Sequence, residues 1–306
     1  MRKTIFASAL AAVALLGCTK TDPETENPDR PVAIRFGQSI DAFSKAPVAG
    51  DKLTGTNFSL YAVEYDATPA WAAANFMDGE TIAVAADGAL SYTNTRYYTI
   101  GKKYDFYACY PALGTEGIQI AAAEAGKAPV VTFDCKDNQP DLMIANATGK
   151  TKSNDAIPFA FSHQLAQVIV KVQSESQYTP AAVVSAAAIT AQYGGTMDLA
   201  SGDITLDVTT APVNVPKVTN AGDVTVTTTP QQLGDALMLP VQTGISTMTL
   251  TVNSVTSDPI AISGLVLKKG KTTTITLTLK GMSISFSQTV TPWATGGTDG
   301  SGDVNI

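Results

Sequence analysis

The 306-residue sequence is short of the residues that carry most enzyme chemistry: one histidine, three cysteines and two tryptophans, with only 15% of its residues charged. A lone histidine, His163, rules out paired-histidine metal motifs, and the many serine and threonine hydroxyls lack a neighbouring base to make them nucleophiles. Beyond Cys18 only Cys109 and Cys135 remain, and two thiols with one histidine fall short of a structural zinc set. Cations are scarce as well, 20 Lys and Arg against 27 Asp and Glu for a net charge of -7, which argues against a nucleic-acid partner, since binding one needs clustered cations on the protein. Gly-Lys-Thr occurs at Gly149-Lys150-Thr151 and Gly270-Lys271-Thr272, but the earlier glycine of a phosphate loop is replaced by Ile144 and Leu265. The expectation is therefore no catalytic residue, no metal and no cofactor. Paired carboxylates need no local motif, and no sequence feature singles out such a pair.

What is present begins at the amino terminus. Met1-Arg2-Lys3 is basic, and Thr4 to Gly17 is apolar but too short to span a bilayer, the layout of a secretory signal peptide over residues 1–17. Leu15-Leu16-Gly17-Cys18 resembles a bacterial lipobox, which makes Cys18 the expected lipidation site. Acyl chains contribute roughly 0.8 kcal/mol per buried methylene, enough for two or three of them to hold a domain at a membrane. Residues 18–31 form a polar, acidic, proline-containing tether. Acidic residues directly after a lipidated cysteine resemble the surface-export signal of Bacteroidota lipoproteins, so the outer membrane and cell surface are the expected location.

The rest alternates β-branched and aromatic residues with small polar ones, in short runs broken by Gly, Pro, Asn and Asp. Strands are predicted at Val32 to Ile40, Asn57 to Tyr65, Arg96 to Ile100, Lys103 to Tyr110, Pro129 to Asp134, Pro158 to His163 and Gln164 to Gln173. Later ones are predicted at Asp223 to Thr229, Ala236 to Val241, Ser246 to Asn253, Pro259 to Leu267, Thr272 to Lys280 and Ser283 to Val290. Long helical stretches are missing, so the pattern is that of all-β antiparallel sandwiches. A polar run at Asn146 to Asp155 divides the chain into expected domains at 32–150 and 151–306. Cys109 and Cys135 both lie in strand-like segments, and a disulfide or two buried thiols are both open there. His163 follows Phe159 and Phe161 in an alternating strand and reads as a structural histidine near a sheet end.

Three segments in order, Asp141-Leu142-Met143-Ile144-Ala145, Pro158 through Val168, and Thr289-Val290-Thr291-Pro292-Trp293, resemble the fimbrillins, the type V pilins of Bacteroidales. The resemblance runs over nearly the whole chain. It implies two transthyretin-like β-sandwiches in tandem and export as a lipoprotein. It also implies cleavage by a trypsin-like protease that removes the first strand, and pilin partners whose strand fills the vacated groove, a form of strand addition.

On that resemblance Val32, Ile34, Phe36 and Ile40 share the apolar phase of the displaced strand, while Ala33, Arg35 and Ser39 share the other. Lys45, in the loop Ala42 to Pro47, is the expected processing point, with Arg35 and Arg30 as alternatives. The arginine that many family proteases require is not well placed here. The candidate donor lies at the other end, where Ile284, Phe286 and Val290 share a phase and Val304 with Ile306 form a second apolar pair. Ile284-Ser285-Phe286 echoes Ile34-Arg35-Phe36. The competing function is a monomeric glycan-binding surface lipoprotein, which needs an aromatic platform; Trp293 belongs to a predicted core strand, and Trp71, in the alanine-rich Ala70 to Phe76, reads as a packing anchor before it reads as a platform.

Overall fold

The computed structural model describes residues 30–40, 53–72, 75–121, 124–136, 138–178, 181–208, 213–281 and 283–292, with the backbone alone for 213–222. No helix occurs among these residues, and the strands lie within Val32–Ile306. In chain order they begin with β1 (Phe36–Ile40), β2 (Thr56–Tyr65), β3 (Met77–Val84), β4 (Leu90–Ser91), β5 (Lys103–Tyr110), β6 (Gln119–Ile120) and β7 (Val130–Asp134). There follow β8 (Met143–Lys150), β9 (Ile157–His163), β10 (Ala166–Ser174), β11 (Val183–Ala191), β12 (Gly194–Asp198), β13 (Ile204–Leu206) and β14 (Val213–Thr225). The last are β15 (Gln231–Gln232), β16 (Leu237–Leu239), β17 (Thr247–Val252), β18 (Val255–Thr256), β19 (Ile260–Ala261), β20 (Lys271–Lys280) and β21 (Ser283–Pro292).

The strands form four sheets. The first has seven strands in the order β1-β9-β8-β5-β2-β3-β4, and a four-stranded sheet runs β13-β12-β7-β6. Two five-stranded sheets follow, β15-β10-β20-β21 with β16 also on β10, and β14-β11-β17-β18 with β19 also on β17. The polar run Asn146 to Asp155 falls across the end of β8 and the turn to β9, and those two strands pair within the first sheet.

Alternation with a period of two explains why the first sheet is buried on both faces. Phe58, Leu60 and Ala62 of β2 enter one core with Phe106 and Ala108 of β5 and Phe159 and Phe161 of β9. The intervening Tyr61, Tyr107 and Cys109 enter another core, against Phe133 of β7 and Met197 of β12. A third core is shared by the two five-stranded sheets: Val168, Val170 and Val172 of β10 and Ile275 and Leu277 of β20 meet Ile189 of β11 and Leu250 of β17.

The predicted strand at Lys103 to Tyr110 is found to the residue, and those at Asn57 to Tyr65, Thr272 to Lys280 and Ser283 to Val290 within two residues. Arg96 to Ile100 is not a strand; it contributes one isolated bridge, Ala33 with Tyr97. Pro259 to Leu267 reduces to the two residues of β19, because the chain turns at Gly264 with φ +86°.

Tyr61 and Tyr107 give the fold a pH signature. Burial, aided by Asp78 at Tyr61 and Asp105 at Tyr107, pushes both phenols up to about 12. An unfolded tyrosine ionises near 10, so between the two values the unfolded chain has released protons that the folded one retains. This contribution to stability is complete below pH ~10 and is lost as pH rises through about 12. Urea midpoints are expected to fall between pH ~10 and about 12, and Tyr61→Phe with Tyr107→Phe should flatten that fall; a pH-independent midpoint would refute it.

Candidate functional site

Residues 32–40 form an edge segment that does two jobs. Its backbone pairs parallel to β9 in the register Phe36↔Ile157, Gly37↔Pro158, Gln38↔Phe159, Ser39↔Ala160 and Ile40↔Phe161. Before β1, Ile157 N donates to Arg35 O at 2.7 Å, Ile34 N donates to Arg96 O at 2.9 Å, and Tyr98 N donates to Val32 O at 3.0 Å. The Tyr92 hydroxyl adds a bond to Ile34 O at 2.9 Å. The segment is thus held by β9 on one side and by residues 92–98 on the other.

Its side chains complete the first core. Ile34 is 1% exposed and Ile40 5%, whereas Phe36 is half-buried against three rings. Those rings are Phe159 at 5.5 Å between centroids, Phe106 at 5.6 Å and Tyr92 at 5.5 Å. Val32 packs on the same core from its rim. With roughly 1.5 to 3 kcal/mol for each fully buried side chain, the segment contributes on the order of 5 kcal/mol of apolar burial, an upper estimate.

Gln38 stands in the same phase as these apolar residues. Its Nε2 donates to Leu53 O at 2.6 Å, and its Oε1 accepts from Leu53 N at 2.9 Å. Leu53 is fully buried, so without Gln38 its N–H and C=O would be left unpaired, at about 1–3 kcal/mol for each group. Sequence reasoning passed over this glutamine, although a single amide in the apolar row Val32, Ile34, Phe36, Ile40 is the visible signal for a buried backbone clamp.

The candidate donor strand lies at another edge. β21 pairs antiparallel with β20 in an unbroken ten-residue register from Lys271↔Pro292 to Lys280↔Ser283. Ile284 and Phe286 are half-buried on the third core, and Val290 is also half-buried. Gln288 donates Nε2 to Gly264 O at 2.7 Å and accepts from Val266 N at 3.1 Å.

The remaining site residues are placed as follows. Arg35 is exposed, donates to Asn154 O, and has its own carbonyl bound by β9, whereas Arg30 is exposed ahead of the segment. Cys18, Lys45, Trp293, Val304 and Ile306 lie outside the described residues. Cys109 and Cys135 are buried free thiols; burial pushes Cys109 up to about 12 and raises Cys135 as well. His163 ends β9, buried, with Nδ1 against Asp141 Oδ1. Trp71 packs on Tyr107 at 5.0 Å, as part of the second core and not as an open platform. Among the described residues no group of three or more His, Cys, Asp or Glu is placed to hold a metal ion.

A family model described as fimbrillin-like matches residues 45–293. Among solved structures, a fimbrial protein from Bacteroides vulgatus aligns with TM-score 0.65 at 17% identity, over 87% of this chain and 100% of its own. A candidate cell adhesion protein from Bacteroides uniformis aligns with TM-score 0.60 at 16% identity, over 86% of this chain and 99% of its own. At such identities the likeness is one of fold. No curated protein matches the chain.

The edge segment makes a graded prediction for urea denaturation. Ile34→Ala should cost about 2–4 kcal/mol, and Gln38→Leu about 2–6 kcal/mol through the two backbone groups of Leu53. Arg35→Ala, on the exposed phase, should stay within about 0.5 kcal/mol. Equal effects at all three positions would show that the segment is not seated this way.

Proposed function

The chain belongs to the fimbrillin-like family, and from that premise we propose that it is an adhesive, structural subunit of a cell-surface pilus, assembled by replacement of its first strand. In this reading it is exported as a lipoprotein, cut ahead of Cys18, acylated there, and held at the outer membrane by the tether 18–31. Residues 32–150 and 151–306 are read as transthyretin-like β-sandwiches in tandem. The separation of the first core from the core of the five-stranded sheets supports that reading; the first core also takes in β9 from beyond residue 150. No catalytic role is assigned.

The observation that carries the proposal is the edge segment itself. It is joined to the rest of the sheet through a connection between Ile40 and Leu53, and otherwise by noncovalent contacts. A trypsin-like protease cutting after Lys45 would sever that connection, and the pairing of β1 with β9 ends before it, at Ile40. Cutting after Arg35 would require opening the pairing with Ile157, and cutting after Arg30 would leave the whole segment attached. Of the three basic residues, Lys45 is the one we take as the processing point, because Arg35 lies within the paired segment and Arg30 lies ahead of it.

Loss of the segment would uncover the core beside Phe159 and Phe106 and leave the edge of β9 without its partner, a template for another strand. The partner is another pilin subunit, and affinity comes from backbone pairing along β9 with alternate side chains filling the sites of Ile34, Phe36 and Ile40.

Limited trypsin treatment of the non-acylated protein starting at Thr19 tests this. One early cut after Lys45, followed by SDS-resistant ladders and filaments in electron micrographs, is the expected outcome. A cut protein that stays monomeric would overturn assembly by strand replacement.

A further inference from the structure

The four-stranded sheet draws its strands from two distant parts of the chain. β6 and β7 come from residues 119–134, whereas β12 and β13 come from residues 194–206. The second pair lies in sequence between β11 and β14, which are neighbours in a five-stranded sheet. The chain therefore leaves that sheet after β11, builds a hairpin against β7, and returns to the same sheet as β14.

The crossing is short and fastened on both sides. Gln192 and Tyr193 alone separate β11 from β12. Gln192 N donates to Gln242 Oε1 at 2.9 Å, and Gln192 O accepts from Gln242 Nε2 at 2.8 Å, in the connection from β16 to β17. One residue on, Tyr193 O accepts from Cys135 N at 2.8 Å, just past β7.

The hairpin fills the second core and has no part in the third. Met197 and Leu199 are fully buried there, with Phe133 of β7 and with Tyr61 and Tyr107 of the first sheet. Its backbone pairs with β7 from Gly194↔Asp134 to Asp198↔Val130.

The tip of the hairpin, Asp198 to Asp203, is seated where three elements meet. Asp198 Oδ1 accepts from Ala200 N at 2.9 Å and Ser201 N at 2.8 Å, which shapes the turn. From β8, Asn146 Nδ2 donates to Ala200 O at 2.8 Å. From the loop ahead of β20, Lys269 Nζ donates to Gly202 O at 3.3 Å. Gly202 itself leaves no room: a Cβ there would stand 2.7 Å from Ile144 Cδ1 of β8 and 2.9 Å from Gln164 Oε1 of the link between β9 and β10. Its φ of +71° asks for glycine as well.

We infer that hairpin β12–β13 is a clasp, a piece of the later chain that completes the cover of the first sheet and binds it to the five-stranded sheets, so that all of them open as one body. Tandem units joined by a simple linker open independently. Here the first sheet cannot uncover its second face without tearing the hairpin from β7, and β11 cannot unravel without dragging the hairpin along. A pilus subunit, in the reading above, is held by one neighbour and pulled by the next, so the clasp lies in the path of that tension. The clasp belongs to the monomer and holds whether or not the chain polymerises.

Hydrogen exchange in the full, unpolymerised chain at graded urea concentrations tests this. Amides of β5 and β20 should lose protection with the same urea dependence. Opening of β5 at lower urea, with β20 still protected, would overturn the clasp. A covalent lock gives a second readout with the core left intact. Thr132 and Thr196 are register partners outside the second core, at a separation that suits a disulfide, and the native thiols are buried. In the Thr132→Cys, Thr196→Cys chain, oxidation should raise protection about tenfold or more at β5 and β20 alike. A rise at β5 with none at β20 would overturn the coupling. Excision gives the converse. Asp207 N donates to Gly194 O at 3.0 Å, so a short glycine turn can replace residues 195–206. That chain should lose about a hundredfold or more of its protection at β5, through the missing Met197 and Leu199, while β20 opens separately. An unchanged, shared urea dependence after excision would overturn the clasp outright.

Discussion

The need to cover the outer flank of β9 is the constraint on which the first sheet depends. That strand turns Ile157, Phe159 and Phe161 into the aromatic core, and its outer backbone edge must also be paired. One extended segment with an apolar phase meets both needs at once, and residues 32–40 are such a segment. Because apolar filling and backbone pairing are supplied by the same nine residues, removing them costs the sheet both together. Nothing inside the remaining sheet replaces them, since β8 already occupies the other side of β9.

The ionisable and polar groups of the described residues serve this architecture. Asp105 is buried and accepts from Tyr65 Oη at 2.9 Å and from Gly149 N at 2.6 Å, fixing the turn that leaves β8. His163, the last residue of β9, meets Asp141 just ahead of β8, and beside them Gln164 N bonds Leu142 O at 2.8 Å. Gln38 and Gln288 spend their amides on loop backbone.

Much of the fold was legible from period-two alternation, and the misses have physical causes. β5, β20 and β21 were visible because apolar and polar residues alternate in them without interruption. β11 was not, since Ala186, Ala187 and Ala188 blur the alternation and alanine is poor as a strand signal. β3 was hidden by Gly79, which sits at φ +76° in the strand, and β12 by its leading glycine pair Gly194-Gly195. Gly195 lies so close to Thr205 O that a Cβ there would be 2.5 Å away, so the residue that weakens the sequence signal is the one the packing requires. The buried phase of residues 32–40 was readable from sequence. The long-range bond of Gln38 to Leu53 was not, because nothing local marks which backbone an amide will meet.

The central claim is that residues 32–40 are a separable strand whose place must be filled for the first sheet to be complete. The direct measurement is thermal unfolding of a chain beginning at Ala46, alone and with a synthetic peptide of residues 32–40. The account predicts a midpoint lowered by about 10 °C or more relative to the chain beginning at Thr19, and restored in proportion to peptide concentration. An unaltered midpoint without the peptide would contradict it, because the first core would then be complete without the strand.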